Sequence, residues 1–182
     1  MQAGLVGAFD DEVVVTGGTT TNLHALVATF YRPDDVRTRI VTDATTFPSD
    51  RYALASQVAM RGLSPAVHLV AVGDHDRGVH EDDVIAALGP DVAFAWFNAV
   101  DYRSGRLLDM ARVVRACAER GIPVGLDLAH SAGAVPHRLH EWGVDCATWC
   151  TYKYLNGGPG AVGALYVHRR HHGTMPGLAG WW

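Results

Sequence analysis

Residues 124–130, VGLDLAH, decide the fold of this 182-residue chain. The first five form a short, mostly apolar run of the length of a buried β-strand. An amphipathic segment begins at Asp109, a residue type that caps helices, and it ends at Gly121-Ile122-Pro123, immediately before the strand. A helix followed at once by a buried strand is the repeating unit of α/β proteins.

The same alternation of short apolar runs and amphipathic stretches extends outward through the rest of the chain, with glycines and prolines between them. Further strands are predicted at Glu12 to Val15, Ile40 with Val41, His68 to Val72, Val92 to Phe97, Cys146 to Cys150 and Val162 to His168. Further helices are predicted at Leu23 to Phe30, from a cap at Ser49 or Asp50 to Gly62, and at Glu81 to Leu88. There is no internal repeat or linker, so the sequence predicts one α/β domain over residues 1–182. We expect three layers, a mainly parallel sheet with helices on both faces.

Composition excludes several classes of function. Hydrophobic residues make up 48% and charged residues 19%, which argues against disorder, and the net charge of -4 leaves no electrostatic footprint for nucleic acid or an anionic membrane. No apolar run approaches the roughly 18 residues of a membrane span, and the N-terminus does not resemble a signal peptide, so we expect a cytoplasmic protein. The three cysteines, Cys117, Cys146 and Cys150, are expected to be small buried residues without disulfides.

Polar residues follow several predicted strands. In an open parallel sheet, the carboxyl ends of the strands form the edge at which ligands bind. Five segments come to this edge: Thr19 to Thr21, Phe47 to Asp50, Asn98, Asp127 with His130, and Lys153. We expect them to converge on one site.

Two of these segments allow more than one interpretation. The turn Gly17-Gly18 before Thr19 to Thr21 offers backbone N–H groups and hydroxyls that suit a phosphate. Taken alone, the turn is better explained by an ordinary helix cap, and it fits neither GxGxxG nor a P-loop. Asp127 is flanked by leucines in a buried strand, so it needs a cationic partner. That partner is either an Arg or Lys of the protein or a protonated ring nitrogen of a ligand.

Lys153 is the only lysine in the chain, and it lies between two tyrosines ahead of a glycine-rich loop. Lysine can form a Schiff base, which arginine cannot, although a lysine exposed by chance remains the alternative. The histidines cluster at His137 with His140, and at His168 with His171 and His172. No carboxylate or cysteine at ligand spacing completes either group, so we predict a solvated loop and no metal site.

The motifs together resemble a known family. GGTTTNLH at 17–24, FPSD at 47–50, DLAH at 127–130, WCTYKYLN at 149–156 and the Gly180-Trp181 pair occur in the order and spacing of kynureninases. These are pyridoxal-phosphate (PLP) enzymes of the aspartate-aminotransferase fold, close to the class V aminotransferases. The resemblance runs from about Glu12 to Trp182, and FPSD and YKYLN are its most specific parts.

The resemblance implies roles for individual residues. Lys153 would hold PLP covalently and act as the general base, with Tyr152 beside it as a proton donor, and Asp127 would pair with the pyridine nitrogen. Phe47 would stack on the pyridine ring. The other implied cofactor contacts are Thr19 and Thr20 at the phosphate, with Pro48, Ser49, Asp50, Asn98, His130 and, from a neighbouring subunit, Trp181. Asn98 stands where some relatives have serine.

The implied activity is hydrolysis of L-kynurenine, or 3-hydroxykynurenine, to anthranilate, or 3-hydroxyanthranilate, and L-alanine, a step of tryptophan catabolism and NAD biosynthesis, in a homodimer. The family subunit is longer, so this chain is expected to be an incomplete PLP-binding large domain. The N-terminal segment and the small domain, with the arginine that grips the substrate carboxylate, would be missing. The alternatives are a domain that binds PLP without catalysis and another class V enzyme such as a cysteine desulfurase.

Overall fold

The computed structural model of the chain describes residues 2–74 and 76–179. The strands of this part are β1 Val13–Val15, β2 Arg39–Asp43, β3 Leu69–Val72, β4 Val92–Asn98, β5 Val124–Asp127, β6 Cys146–Trp149 and β7 Ala164–Val167. The α-helices are α1 Gln2–Val6, α2 Thr19–Phe30, α3 Pro48–Ala59, α4 Pro65–His68, α5 Glu81–Ala87, α6 Met110–Glu119 and α7 Leu139–Trp142. Short 3-10 helices cover Asp10–Glu12 and Arg169–His171.

The strands form a single sheet in the order β1-β7-β6-β5-β4-β2-β3. Strands β2 to β6 pair in parallel, whereas β7 runs antiparallel to both of its neighbours, β6 and β1. The carboxyl ends of β1 to β6 therefore lie at one edge of the sheet, which we call the carboxyl edge. The chain enters β7 at this same edge.

Strand β4 shows how the layers are built. All seven of its residues are buried, and from Phe94 to Phe97 successive side chains pack alternately into two different cores. Phe94 and Trp96 pack with residues of α2 and α3, and Ala95 and Phe97 pack with residues of α5 and α6. Because successive strand residues point to opposite faces, the sheet has a core on each side. The predicted three-layer, mainly parallel α/β fold is confirmed.

Some predicted boundaries are wrong for identifiable reasons. Glu12 lies in a 3-10 helix instead of β1, and His68 ends the short helix α4 instead of starting β3. Helix α3 begins at Pro48, whose fixed φ suits the first helical position, so Ser49 and Asp50 lie inside the first turn and cap nothing.

Two other expectations from the sequence, the cap of α6 and the burial of the cysteines, are confirmed. Asp109 caps α6, where its side chain accepts a hydrogen bond from the backbone N–H of Arg112 at 3.0 Å. Cys117, Cys146 and Cys150 are buried free thiols. Across residues 2–74 and 76–179, no helix has the length and apolar character that crossing a membrane requires.

Candidate active site

A cavity of about 250 Å³ opens at the carboxyl edge, where the loops after β1, β2, β5 and β6 meet. Because parallel strands deliver their ends to one edge, residues far apart in sequence line the same space. The lining residues are Gly18, Thr19, Thr20, Thr21, Phe47, Ser49, Asp50, Asp127, Ala129, Tyr152 and Lys153. The predicted convergence therefore holds for most of the candidate residues.

The first turn of α2 forms one wall of the cavity. Gly18 is the N-cap residue and provides no side-chain cap, so the first N–H groups of the helix are available to a ligand in the cavity. These groups and the positive end of the helix dipole suit an anion such as phosphate. The hydroxyls of Thr19 and Thr20 lie in the same turn.

The turn before α2 is fixed by a close contact within the turn and by backbone hydrogen bonds to a residue much later in the chain. Gly17 has φ +56°, and a Cβ there would lie 2.5 Å from Oδ1 of Asn22, so this position requires glycine. The N–H of Thr16 donates to the carbonyl of Gly163 at 2.9 Å, and the N–H of Gly163 donates to the carbonyl of Gly17 at 2.7 Å. Gly163, the residue directly before β7, thus holds the start of α2 in place.

Buried carboxyl groups form the floor of the cavity. Asp127 is 4% exposed and Asp50 is 1% exposed, and their side chains hydrogen-bond to each other. Burial, followed by the negative charge of Asp127, raises the pKa of Asp50 to about 8. Burial also raises the pKa of Asp127. The N–H of Ala129 donates a hydrogen bond to the Asp127 carboxylate at 2.6 Å, which partly offsets this rise. The two carboxyl groups therefore share a proton in the hydrogen bond that joins them.

A third buried carboxyl group, Asp43 at the end of β2, lies behind this pair and was not predicted. Its Oδ2 accepts from the backbone and side-chain N–H groups of Asn98, both at 3.3 Å, and burial raises its pKa. The sequence did carry a signal, because Asp43 ends an apolar strand just as Asp127 does. Within the described residues, no Arg, Lys or His forms an ion pair with Asp43, Asp50 or Asp127.

Lys153 also lines the cavity, in the loop after β6. Its Nζ is 3.0 Å from Nε2 of His130 and 5.4 Å from the centre of the Phe47 ring. Burial, followed by the charge of Lys153, lowers the pKa of His130, so its neutral ring can accept a hydrogen bond from the ammonium group. His130 is thus placed beside the lysine although it does not line the cavity.

The loop that carries Lys153 is a compact turn. The N–H of Asn156 donates to the carbonyl of Lys153 at 3.1 Å, and Asn156 has φ +56°, a left-handed conformation that asparagine tolerates. The hydroxyl of Thr151 donates to the carbonyl of Val162 at 2.6 Å and closes the base of the loop. Tyr152 is half exposed, and partial burial raises the pKa of its hydroxyl, which keeps that group protonated.

The remaining candidates differ in position. Phe47 lines the cavity and contacts Tyr102 edge-on, with 5.1 Å between ring centres. Asn98 is buried behind Asp43, and its Oδ1 has no hydrogen-bond partner in the part of the chain that the structure describes. Pro48 is exposed and lines a separate cavity of about 560 Å³ beside α3. Trp181 lies outside the described residues.

The prediction of a solvated histidine loop is wrong for His137. This side chain is only 6% exposed and packs edge-on against Trp142, with 6.0 Å between ring centres. The apolar contact comes from α7, whose position the sequence pattern did not reveal.

The fold and the site together define a class of protein. A mainly parallel three-layer sheet, with a lysine, a buried carboxylate and a helix N-terminus around one cavity at its carboxyl edge, is the arrangement of PLP-dependent enzymes of the aspartate-aminotransferase fold. The family model "Aminotransferase class-V" matches residues 2–180, and the chain belongs to this PLP-dependent family.

Individual relatives support this assignment. A kynureninase of Geobacillus thermodenitrificans (strain NG80-2) is 54% identical over 182 residues, and one of Bacillus anthracis is 52% identical over the same length. The match includes 100% of this chain and 42% of each relative, so the chain spans less than half the length of these proteins.

Solved structures share the fold at lower identity. The apo cysteine desulfurase of Thermococcus onnurineus NA1 superposes with a TM-score of 0.78 at 21% identity, over 94% of this chain and 42% of that one. DndA of Streptomyces lividans superposes with a TM-score of 0.77 at 22% identity, over 96% of this chain and 48% of that one.

Proposed function

We propose that the chain is the PLP-binding large domain of a kynureninase, which hydrolyses L-kynurenine to anthranilate and L-alanine and acts likewise on 3-hydroxykynurenine. One observation carries the proposal: identity of 50–54% to kynureninases extends over the whole chain, and the matched range includes every residue that lines the cavity. In this proposal residues 1–182 are an incomplete domain, to which the full enzyme adds an N-terminal segment and a small domain with the substrate-binding arginine.

The cavity fits PLP chemically. Its floor holds buried carboxyl groups that form no ion pair within the described residues, although Lys153 is close enough to lower the pKa of Asp127, and a protonated pyridine nitrogen would supply an ion-pair partner to Asp127. Its wall offers the N-terminus of α2 to the phosphate. The only lysine of the chain faces these two features.

When bound, PLP withdraws electrons from the α-carbon of an attached amino acid. Asp127 would pair with the pyridine nitrogen and keep it protonated, and Asp50, whose side chain hydrogen-bonds to Asp127, would hold that carboxylate in place. Lys153 would hold the cofactor covalently, and its Nζ would serve as the base for the proton on the substrate α-carbon. The Tyr152 hydroxyl, whose raised pKa keeps it protonated, is the proton donor beside it.

The other candidate residues orient the cofactor. We assign the phosphate to Thr19 and Thr20, the face of the pyridine ring to Phe47, and the ring substituents to His130 and Asn98. The partnerless Oδ1 of Asn98 supports this last contact, because a buried acceptor without a donor is costly. Ser49, in the first turn of α3, lines the cavity and Pro48 starts that helix, and Trp181 would reach the phosphate of a neighbouring subunit.

We extend the proposal to the setting of the enzyme, a cytoplasmic homodimer in tryptophan catabolism and NAD biosynthesis. The support is the likeness to kynureninases and the placement of Trp181 in that family. A cysteine desulfurase is not favoured, because desulfurases match at 21–22% identity and kynureninases at more than 50%. In addition, all three cysteines of the chain are buried.

The test has two readouts. Addition of PLP to the purified chain should produce an absorbance band of protein-bound cofactor, and reduction with borohydride should fix the cofactor on Lys153. Anthranilate fluorescence after addition of L-kynurenine reports activity. PLP binding without anthranilate would favour a binding domain without catalysis, sulfide release from cysteine would favour a desulfurase, and absence of PLP binding would contradict the proposal.

A further inference from the structure

Three residues from distant parts of the sequence meet at the opposite edge of the sheet from the cavity. Glu12 lies just before β1, His140 is in α7 just before β6, and His168 follows the antiparallel strand β7. One ligand-type atom from each, a glutamate oxygen and two imidazole nitrogens, lies within 4.8 Å of the other two. We call these three residues the Glu12–His140–His168 cluster.

The distances are close to those of a tetrahedral metal site. Oε1 of Glu12 is 2.8 Å from Nδ1 of His140 and 3.8 Å from Nδ1 of His168. Ligands about 2.1 Å from a tetrahedral zinc ion lie about 3.4 Å from each other, a value between these two distances. The imidazole rings stack with 4.6 Å between their centres, so they must rotate to point at a common ion.

The carboxylate of Glu12 is held in one orientation. Its side chain is fully buried, its Oε2 accepts from the N–H of Phe9 at 2.9 Å, and its Oε1 accepts from the N–H of Arg169 at 2.9 Å. Hydrogen bonds of this kind orient metal ligands in proteins. Glu12 has no lysine or arginine side chain as an ion-pair partner within residues 2–74 and 76–179.

Both histidines can present a nitrogen lone pair to an ion. Nδ1 of His168 accepts from the N–H of Arg170 at 3.1 Å, so it carries a lone pair, and an ion would take the place of this hydrogen bond. His140 can free its Nδ1 by carrying its proton on Nε2.

The surroundings provide further support. Arg169 is paired with Asp11 at 2.8 Å, and Arg170 is paired with Asp145 at 2.7 Å, so both neighbouring cations are already compensated. Tyr166, whose ring contacts that of His168 edge-on at 6.4 Å, is fully buried. Its hydroxyl has no hydrogen-bond partner in the described part of the chain, and a metal-bound water would provide one.

We propose that the Glu12–His140–His168 cluster binds a divalent transition metal such as Zn²⁺, with water as the fourth ligand. The ion joins the segment before β1 to the end of β7 and to α7. It lies across the sheet from the PLP cavity, so its role is structural and independent of the proposed kynureninase activity.

The test uses the full chain without an affinity tag, freed of metal by a chelator, and titrates it with Zn²⁺ by calorimetry and with Co²⁺ by visible absorption. We expect one equivalent to bind, with the strong visible bands of tetrahedral Co²⁺. His168→Ala should weaken binding at least about 100-fold, since changes even to the partners of metal ligands cost 10–100-fold. The control His172→Ala changes an exposed histidine outside the cluster and should leave the affinity unchanged.

Absence of stoichiometric binding to the unchanged chain would overturn the proposal, as would equal affinity in His168→Ala. Circular dichroism shows whether that variant remains folded. If it does not, Glu12→Asp provides a second variant, which retains the charge but withdraws the carboxylate by one methylene. Unchanged Zn²⁺ affinity in a folded Glu12→Asp chain would likewise overturn the proposal.

Discussion

Replacing Asp50 with asparagine should change how the stability of the chain depends on pH. The pKa of Asp50 rises from its usual 3.8 to about 8 because the group is buried and lies beside Asp127. Between these two values the folded state holds a proton that the unfolded state releases. This contribution is fully present below about pH 3.8, and stability is lost as the pH rises toward 8.

The magnitude follows from one proton. Each pH unit between the unfolded and folded pKa values costs about 1.4 kcal/mol of unfolding free energy, so the wild type should lose about 3 kcal/mol from about pH 5 to 7 through this group. The asparagine of the variant does not titrate, yet it can keep similar hydrogen bonds. In the wild type, Nε1 of Trp96 donates to Oδ2 of Asp50 at 3.1 Å, and the asparagine oxygen can accept this bond while its amide N–H donates to Asp127. The stability of Asp50→Asn relative to wild type should therefore rise by about 3 kcal/mol over this range.

The assay is urea denaturation of the chain without PLP, followed by tryptophan fluorescence at about pH 5, 6 and 7. Comparing how the unfolding free energies of the variant and the wild type change with pH removes any pH-independent cost of the substitution. Asp35→Asn, which changes an exposed aspartate, is the matched control and should show no such rise. A relative stability of Asp50→Asn that stays constant with pH would refute the shared proton of the Asp50 and Asp127 pair.

Four further outcomes follow from the site and the core. Lys153→Ala should abolish the absorbance of covalently held PLP, while Lys153→Arg, which retains the charge, should abolish it equally because arginine forms no Schiff base. Asp127→Asn, studied in the active enzyme, should leave PLP bound but reduce kcat by at least about 100-fold, since it removes the charge that keeps the ring nitrogen protonated. Thr20→Ala should weaken PLP binding by about tenfold or more, the value of a hydrogen bond to a charged group, with little change in kcat. Gly125→Ala should destabilise the chain by about 1–3 kcal/mol in urea denaturation, because its Cβ would lie 2.4 Å from the ring of Trp96.

Each outcome can fail in a distinct way. Covalent PLP in Lys153→Ala would mean that another group holds the cofactor. A near-normal kcat in Asp127→Asn would refute its electrostatic role, and unchanged PLP affinity in Thr20→Ala would place the phosphate elsewhere. Equal stability of Gly125→Ala and wild type would show that the core between β4 and β5 can expand.

The sequence predicted the fold well where the pattern is strongly local. Strand β4 is a continuous apolar run, and α6 carries both a capping aspartate and a clear apolar face, so both were predicted nearly to the residue. Asp127 and Lys153 were recognisable because each residue type is unusual in its local sequence. A carboxylate between leucines and a lone lysine between tyrosines both require a specific partner.

The rest depends on contacts between residues far apart in the chain. Asp50 looked like a helix cap because its local sequence suits one, but tertiary packing against Trp96 and Asp127 buries it instead. Glu12 lies 128 positions from His140 and 156 positions from His168, so no local pattern could have joined them. Such groupings arise from sheet order, which a single sequence does not reveal.

The pairing of β1 with β7 bears on the order of events during synthesis. The loop that shapes the start of α2 is held by Gly163, about 145 positions later in the chain. A nascent polypeptide that has left the ribosome only as far as β6 would contain the threonines and Asp127 but not this support. The cofactor should therefore be captured after β7 has been made and has closed against the first strand, which makes PLP loading a late event in the life of the newly made chain.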